Sequence, residues 1–151
     1  MEKQDLQTTI NVKVPVHEAL KAITNIPAWW MEDFEGRTTA LDDVFTIQFR
    51  PGAFVTAQIV ELVPDRKVTW LVTDCNLSWL KDNKEWKDTR MVFEIKKNGD
   101  GTRIRFTHSG IGPGKECYHD CVKGWDHYIK ESLHGLLTEG IGRPAKRQSQ
   151  Q

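Results

Sequence analysis

The sequence carries no excess of charge of either sign and has no long apolar run. Lysine and arginine together number 21, aspartate and glutamate also number 21, and the formal net charge is zero. Nucleic-acid-binding domains usually carry a clear basic excess, so we expect no nucleic-acid partner. No apolar stretch approaches the ~18 residues that a membrane-spanning helix needs, so we also expect no membrane span.

Cysteine is scarce. Cys75, Cys117 and Cys121 make an odd number in a chain of 151 residues, which is long enough to bury a core without cross-links. We therefore expect reduced thiols and a cytoplasmic location. The first residues, MEKQD, lack the apolar core of a signal peptide, which agrees with that expectation.

Recognisable catalytic motifs are also missing. The sequence has no glycine-rich phosphate loop, no Gly-x-Ser-x-Gly elbow and no paired-cysteine zinc pattern. Nothing in it assembles a nucleophile, a base and an orienting group. We therefore predict no catalytic residue, no metal site and no cofactor, and the sequence favours a non-enzymatic protein without excluding an enzyme.

Tryptophan, by contrast, is abundant. A tryptophan side chain can bury ~150–250 Å² of surface, so these residues serve either the core or the wall of an apolar ligand chamber. The six are Trp29, Trp30, Trp70, Trp79, Trp86 and Trp125.

Hydrophobic periodicity predicts an α+β domain. A strand at 6–14 is followed by a short helix near 16–23 and a helical turn at 28–31. The segment Asn98–Gly101 is a strong hairpin signal, because asparagine and glycine tolerate positive φ. Further strands are predicted at 44–50, 54–63, 67–74, 89–96 and 102–108.

One long amphipathic helix is predicted from about Glu116 to Glu139, with Gly140 as its C-cap. The apolar stripe of this helix needs a partner, so the antiparallel sheet must curl around it. We predict a single domain over 1–142 and a mobile, polar C-terminal tail over 143–151.

Two clusters on this helix allow more than one interpretation. His127, Glu131 and His134 have the spacing of metal ligands, but they lie opposite the apolar stripe, which favours a solvated polar face. Cys117 and Cys121 are one turn apart. They either pack as small polarizable side chains or include a reactive thiol near the helix N-terminus.

Several motifs in the second half of the chain carry a family resemblance. They are Thr107-His108-Ser109-Gly110-Ile111, Glu116-Cys117-Tyr118 with Cys121, Gly124-Trp125, and Ser132-Leu133 followed by Gly140, Gly142 and Pro144. With Pro15-Val16, Ala19 and the Trp29-Trp30 pair, the sequence resembles the START-like (SRPBCC, Bet v-like) superfamily. It is most similar to bacterial members of the family named for the activator of the heat shock protein 90 ATPase, in its C-terminal domain.

The resemblance implies a helix-grip fold: a curved antiparallel sheet wrapped around a long C-terminal helix, with two short helices after the first strand. It also implies a cavity between sheet and helix that takes an apolar small molecule or a lipid. We therefore hypothesise a non-enzymatic binder of such a molecule. The predicted cavity wall consists of Trp30, Phe45, Trp70, Phe93, His108, Trp125 and Tyr128.

Two rival hypotheses remain open. The first is an interaction protein with a chaperone as partner, which would use the outer sheet face or the loop from Ser78 to Trp86. The second is an enzyme of the cyclase or hydrolase type. In that case His108 would act as acid or base. The alternation of its strand places His108 on the same inward face as Ile104 and Phe106.

Overall fold

The computed structural model describes residues 5–146, and the order of elements in it is that of an α+β domain. The strands are β1 Leu6–Val12, β2 Phe34–Gly36, β3 Val44–Arg50, β4 Ala53–Val63, β5 Lys67–Asn76, β6 Arg90–Asn98 and β7 Gly101–Ser109. The helices are α1 Val16–Thr24, α2 Ile26–Trp29, α3 Tyr118–Trp125, a π-helical segment Asp126–Leu133 and α4 His134–Glu139.

The seven strands form one antiparallel sheet in the order β1-β7-β6-β5-β4-β3-β2. Strand β1 alternates strictly between buried and exposed residues, because one face of the sheet packs on the core and the other meets water. The register between β4 and β5 shifts twice, between Thr56 and Ala57 and between Ile59 and Glu61. Such bulges bend a strand.

The hairpin between β6 and β7 follows the sequence prediction. Asn98 pairs with Gly101 across the turn, and Gly99 has a φ of 62°. A two-residue hairpin of this kind needs positive φ, which glycine adopts without a steric penalty. The turn sets the register that brings Phe93 opposite Phe106 on the buried face.

The C-terminal helix is continuous over 22 residues, from Tyr118 to Glu139, and we call it the grip helix. Gly140 ends it in the left-handed conformation, at φ 80°, as predicted. The π geometry of the middle segment was not predicted. The buried residues Ile129 and Leu133 of this segment continue the spacing of four from Trp125 at the end of α3. This spacing does not distinguish a π turn from an α turn.

The chain after the grip helix returns to α2. The N–H of Ala145 donates to the carbonyl of Trp30 at 2.9 Å, and the N–H of Glu32 donates to the carbonyl of Ala145 at 2.9 Å. Buried Ser132 donates to the carbonyl of Trp29 and accepts the N–H of Arg143, both at 2.6 Å. Residues 143–146 of the predicted tail are therefore hydrogen-bonded to the domain, and 147–151 lie outside the described residues.

No helix in the described part of the chain is both long enough and apolar enough to cross a membrane.

Candidate functional site

A cleft of about 160 Å³ opens beside the N-terminal half of the grip helix. Its other walls come from the end of β3, from Trp30 directly after α2, and from residues 77–86 of the loop that joins β5 to β6. We call it the aromatic cleft, because six of its lining residues are aromatic. The lining residues are Trp30, Phe49, Leu77, Trp79, Trp86, Cys117, Asp120, Cys121, Gly124, Trp125 and Tyr128.

Packed aromatic rings form the floor of the cleft. The Trp30 and Trp125 ring centroids lie 4.9 Å apart. Behind them Trp30 stacks on Trp70 at 6.1 Å with an interplanar angle of 4°, and Trp125 lies 4.3 Å from Phe106. Because these rings fill the space between sheet and helix, the open volume lies at one end of the helix rather than along its length.

The residues predicted as the cavity wall fall into two groups. Trp30, Trp125 and Tyr128 line the cleft. Phe45, Trp70, Phe93 and His108 are fully buried behind it. The structure brings the second group into ring contact with the first, through pairs such as Trp70 with Trp30 at 6.1 Å and His108 with Trp125 at 5.9 Å.

His108 is enclosed by hydrogen-bonding partners and rings. Its Nδ1 lies 3.1 Å from Nε1 of Trp125, and its Nε2 lies 2.9 Å from Oγ1 of Thr89. Burial lowers the pKa of this imidazole from 6.5 to about 3, because the charged form would lose its hydration. Both ring nitrogens are therefore engaged inside the core, and neither faces the cleft.

Two carboxylates fasten the β5–β6 loop to the start of the grip helix. Glu85 accepts the backbone N–H groups of Glu116 and Cys117, both at 2.9 Å. In return, Glu116 accepts the N–H groups of Lys81 and Asp82 at 2.9 and 3.2 Å. The first contact satisfies the N–H of Cys117, the N-cap residue of the grip helix, and the N–H of Glu116 just before it.

The hydrogen bonds between Glu85 and the start of the grip helix also affect the pKa of Glu85. Partial burial raises this pKa, but the hydrogen bonds from the N–H groups of Cys117 and Glu116 outweigh burial, and the net shift is downward. The reciprocal attachment holds one wall of the cleft, the loop that carries Trp79 and Trp86, against the opposite wall.

Two sulfur atoms lie in the wall. Cys117 and Cys121 are free and buried, and the indole N–H of Trp86 donates to Sγ of Cys117 at 3.4 Å. The hydrogen bond with Cys121, followed by burial, raises the pKa of the Cys117 thiol. This thiol is therefore neutral at physiological pH, which favours the packing interpretation over a reactive thiolate.

The mouth of the cleft is more polar. Asp120 is the one formally charged side chain among the lining residues that the structure describes. Burial raises the pKa of the half-buried Tyr128 hydroxyl, which stays neutral. Trp79 is 41% exposed, and the Arg50 guanidinium carbon lies 5.1 Å from its ring centroid.

Sequence reasoning did not place several of these residues in the site. The lining residues that were not predicted as cavity wall are Phe49, Leu77, Trp79, Trp86, Cys117, Asp120, Cys121 and Gly124. Two tryptophans within one long connection were the available signal for the loop wall. Asp120 and Gly124 had no such signal, because their position depends on how the helix start meets the loop.

The sequence favours a solvated polar face over a metal site for His127, Glu131 and His134, and all three side chains are at least partly exposed. Nδ1 of His127 and Oε1 of Glu131 are 3.9 Å apart and largely solvent-exposed. Within residues 5–146, no three histidine, cysteine, aspartate or glutamate side chains are grouped as they would be around a metal ion.

Comparison with known proteins gives one family match. The sequence model described as "Activator of Hsp90 ATPase homolog 1-like protein" matches residues 16–138. None of the curated proteins is a significant sequence match.

Solved structures of several bacterial proteins are similar in fold. The solution structure of the Aha1 dimer from Colwellia psychrerythraea is 20% identical, covers 91% of this chain and 98% of its own, and has a TM-score of 0.74. A Mesorhizobium loti protein is 18% identical, with coverages of 89% and 96% and a TM-score of 0.71. A Staphylococcus saprophyticus protein is 15% identical, with coverages of 95% and 98% and a TM-score of 0.71. At these identities the likeness establishes the fold alone.

Proposed function

Since the chain belongs to the family of Activator of Hsp90 ATPase homolog 1-like proteins, whose members share this fold, we propose that it binds a small apolar molecule in the aromatic cleft without catalysing a reaction. The observation that carries this proposal is the cleft itself. It is open to solvent, six aromatic side chains line it, and a rigid floor of packed rings closes it.

The volume of the cleft sets the size of the ligand. An engineered protein cavity of about 150 Å³ binds benzene, and the aromatic cleft measures about 160 Å³. It therefore accommodates a group the size of one ring, whereas a lipid chain would need the aromatic floor to open. This narrows the expected ligand from a lipid to a small molecule, or to a ring-sized part of a larger one.

The expected affinity is modest. A single aromatic group offers ~150 Å² of surface, and at ~25 cal/mol per Å² its burial is worth roughly 4 kcal/mol. That corresponds to a dissociation constant of about 1 mM for a bare ring. A natural ligand with polar groups that contact Asp120 or the Tyr128 hydroxyl would bind more tightly.

Intrinsic fluorescence provides a direct test, because Trp30, Trp79, Trp86 and Trp125 line the cleft. We expect toluene or benzyl alcohol to change the tryptophan emission of the purified protein saturably. Native mass spectrometry of freshly purified protein would detect a bound cellular molecule.

Gly124 offers a variant that should block the cleft without damaging the fold. A Cβ atom added there meets no heavy atom within 4 Å, and replacing a helical glycine removes a penalty of about 1 kcal/mol. We expect Gly124→Leu to fold at least as stably as wild type and to lose the fluorescence response. Lys123→Leu adds a similar side chain at an exposed neighbour outside the lining and should keep it. Equal binding by wild type and Gly124→Leu would overturn the proposal.

The rival hypotheses receive less support from the geometry. In the loop suggested for a chaperone contact, Trp79 is 41% exposed but Trp86 is only 6% exposed. The loop thus presents one exposed indole rather than a broad apolar patch. An acid or base role for His108 would require a ring nitrogen that faces a ligand, and both are bonded to Trp125 and Thr89.

A further inference from the structure

The charge of the aromatic cleft is as informative as its apolar walls. The lining combines six aromatic side chains with one formal charge, the carboxylate of Asp120. Asp120 lies in the first turn of α3 and is exposed at the mouth. No lysine, arginine or histidine among residues 5–146 contributes to the lining, so the one charged group in the lining is negative.

The aromatic walls, like the Asp120 carboxylate, favour a positively charged ligand. The faces of indole and phenol rings carry a partial negative charge and attract organic cations. The Cys117 sulfur adds polarizable, neutral surface, because its thiol is protonated. A neutral ring gains from burial alone, whereas a cation of the same shape also gains from the rings and from the carboxylate.

A side chain of this protein already makes such a contact just outside the cleft. The guanidinium of Arg50 lies 5.1 Å from the ring centroid of Trp79, and Trp79 also packs edge-on against Phe49 at 5.4 Å. Arg50 is not among the residues that line the cleft. The position of Arg50 indicates that the rings at the mouth attract positive charge. The charge of Arg50 would also repel a cationic ligand that enters the cleft.

We propose that the ligand of the aromatic cleft is a small organic cation of the methylated ammonium class, with Asp120 as its counter-ion. This inference rests on the proposed function and adds to it the charge and chemical class of the ligand. A trimethylammonium group suits the cleft because it is compact, apolar on its surface and weakly hydrated, and so it enters an aromatic site more easily than a primary ammonium does.

A pair of isosteric ligands tests the charge directly. Choline and 3,3-dimethylbutan-1-ol differ in one atom, a quaternary nitrogen in place of a quaternary carbon. Titration of the whole protein, followed by tryptophan fluorescence and by NMR, should give a dissociation constant for choline at least about tenfold lower than for the alcohol.

Variants at the mouth test the counter-ion. Asp120→Asn should weaken choline binding by about tenfold and leave binding of the alcohol unchanged. Glu139→Gln removes the same charge from the far end of the grip helix, outside the lining, and should have little effect. Arg50→Gln should strengthen choline binding. These side chains are exposed, so we expect the variants to fold.

The outcomes separate this inference from the proposed function. If the alcohol binds as tightly as choline and Gly124→Leu blocks it, the cation proposal is wrong and the apolar site stands. If choline binds more tightly but Asp120→Asn does not weaken it, the assignment of Asp120 is wrong. If neither ligand nor a neutral ring binds, both proposals fail.

Discussion

The indole N–H of Trp125 donates a hydrogen bond to Nδ1 of His108 at 3.1 Å, and this contact determines where the imidazole proton lies. An indole nitrogen can only donate, so Nδ1 must accept and the proton must be on Nε2. The Nε2–H then donates to Oγ1 of Thr89 at 2.9 Å, and the Thr89 hydroxyl donates to the carbonyl of Trp86 at 2.6 Å. The chain of bonds joins the grip helix, β7 and the β5–β6 loop.

The first prediction concerns pH. Because the folded-state pKa of His108 is lowered to about 3 and its unfolded value is near 6.5, the unfolded state binds more protons below pH 6.5. Stability from this group is complete above pH 6.5 and is lost as the pH falls towards 3. We expect the free energy of unfolding to fall by up to about 1.4 kcal/mol per pH unit in this window, as measured by urea titration between pH 7 and 5.

A variant without the imidazole isolates this effect. In His108→Gln the free energy of unfolding should change less between pH 7 and pH 5 than it does in wild type, whatever the absolute stability of the variant. NMR of the wild-type ring should report the neutral tautomer protonated at Nε2 throughout that range. A protonated His108 at pH 6 in the folded protein would contradict the assignment.

The second prediction concerns the Thr89 hydroxyl. Thr89→Val keeps the shape of the side chain but leaves the Nε2–H of His108 without an acceptor in the core. An unsatisfied buried donor costs about 1–3 kcal/mol, and we expect a loss of that size in the free energy of unfolding. Thr89→Ser retains the hydroxyl and should lose less. If serine proves the more damaging substitution, the methyl contact matters more than the hydrogen bond.

The sequence was sufficient to predict the α+β architecture because local signals agreed with one another. Alternation of inward residues such as Phe93 and Phe106 located strands, the Asn98–Gly101 turn located a hairpin, and Gly140 located the end of the grip helix. Each of these depends on residues close together in the chain. The resemblance to a family then supplied the arrangement of the sheet against the helix.

The position of the cleft could not be predicted in the same way. The alternation of side chains along a strand correctly identifies Trp70 and Phe93 as buried residues. It does not distinguish a buried ring that is packed on all sides from one that borders a cavity. That distinction depends on how the β5–β6 loop meets the grip helix, through Glu85 and Glu116. These contacts join residues more than thirty positions apart in the chain, so no local sequence pattern predicts them.

The third prediction concerns this attachment. Glu85→Gln leaves one oxygen that can accept a backbone N–H and replaces the other by an NH2 group that cannot, so one of the two hydrogen bonds is lost and the other loses its charge assistance. We expect faster amide hydrogen exchange at Glu116 and Cys117, with the strands of the sheet unchanged. Glu116→Gln is the matched variant and should accelerate exchange at Lys81 and Asp82 instead. If neither variant changes exchange at these amides, the loop is held by its apolar contacts alone.

The same carboxylate should make the attachment sensitive to acid. Because the folded-state pKa of Glu85 is lowered, its contribution is present above the unfolded pKa and is lost as the pH falls through the folded value. Exchange at Cys117 in wild type should therefore approach that of Glu85→Gln in strongly acidic solution.

The fourth prediction compares two buried tryptophans of the same aromatic cluster. Nε1 of Trp70 is the one buried side-chain nitrogen or oxygen without a hydrogen-bond partner in the part of the chain that the structure describes, whereas Nε1 of Trp125 is bonded to His108. Substitution by phenylalanine removes a similar volume from either site. In Trp70→Phe, however, it also removes an unsatisfied donor, which partly offsets the loss of packing.

In Trp125→Phe the same substitution leaves Nδ1 of His108 without a donor. We therefore expect Trp125→Phe to cost roughly 2 kcal/mol more in the free energy of unfolding than Trp70→Phe, measured by urea denaturation of both variants at pH 7, which is above the pKa of His108 in the folded and in the unfolded state. The double variant Trp125→Phe with His108→Phe would remove the orphaned acceptor and should reduce that difference. An equal cost for the two single variants would mean that the Trp70 N–H is satisfied in solution, for example by a buried water molecule.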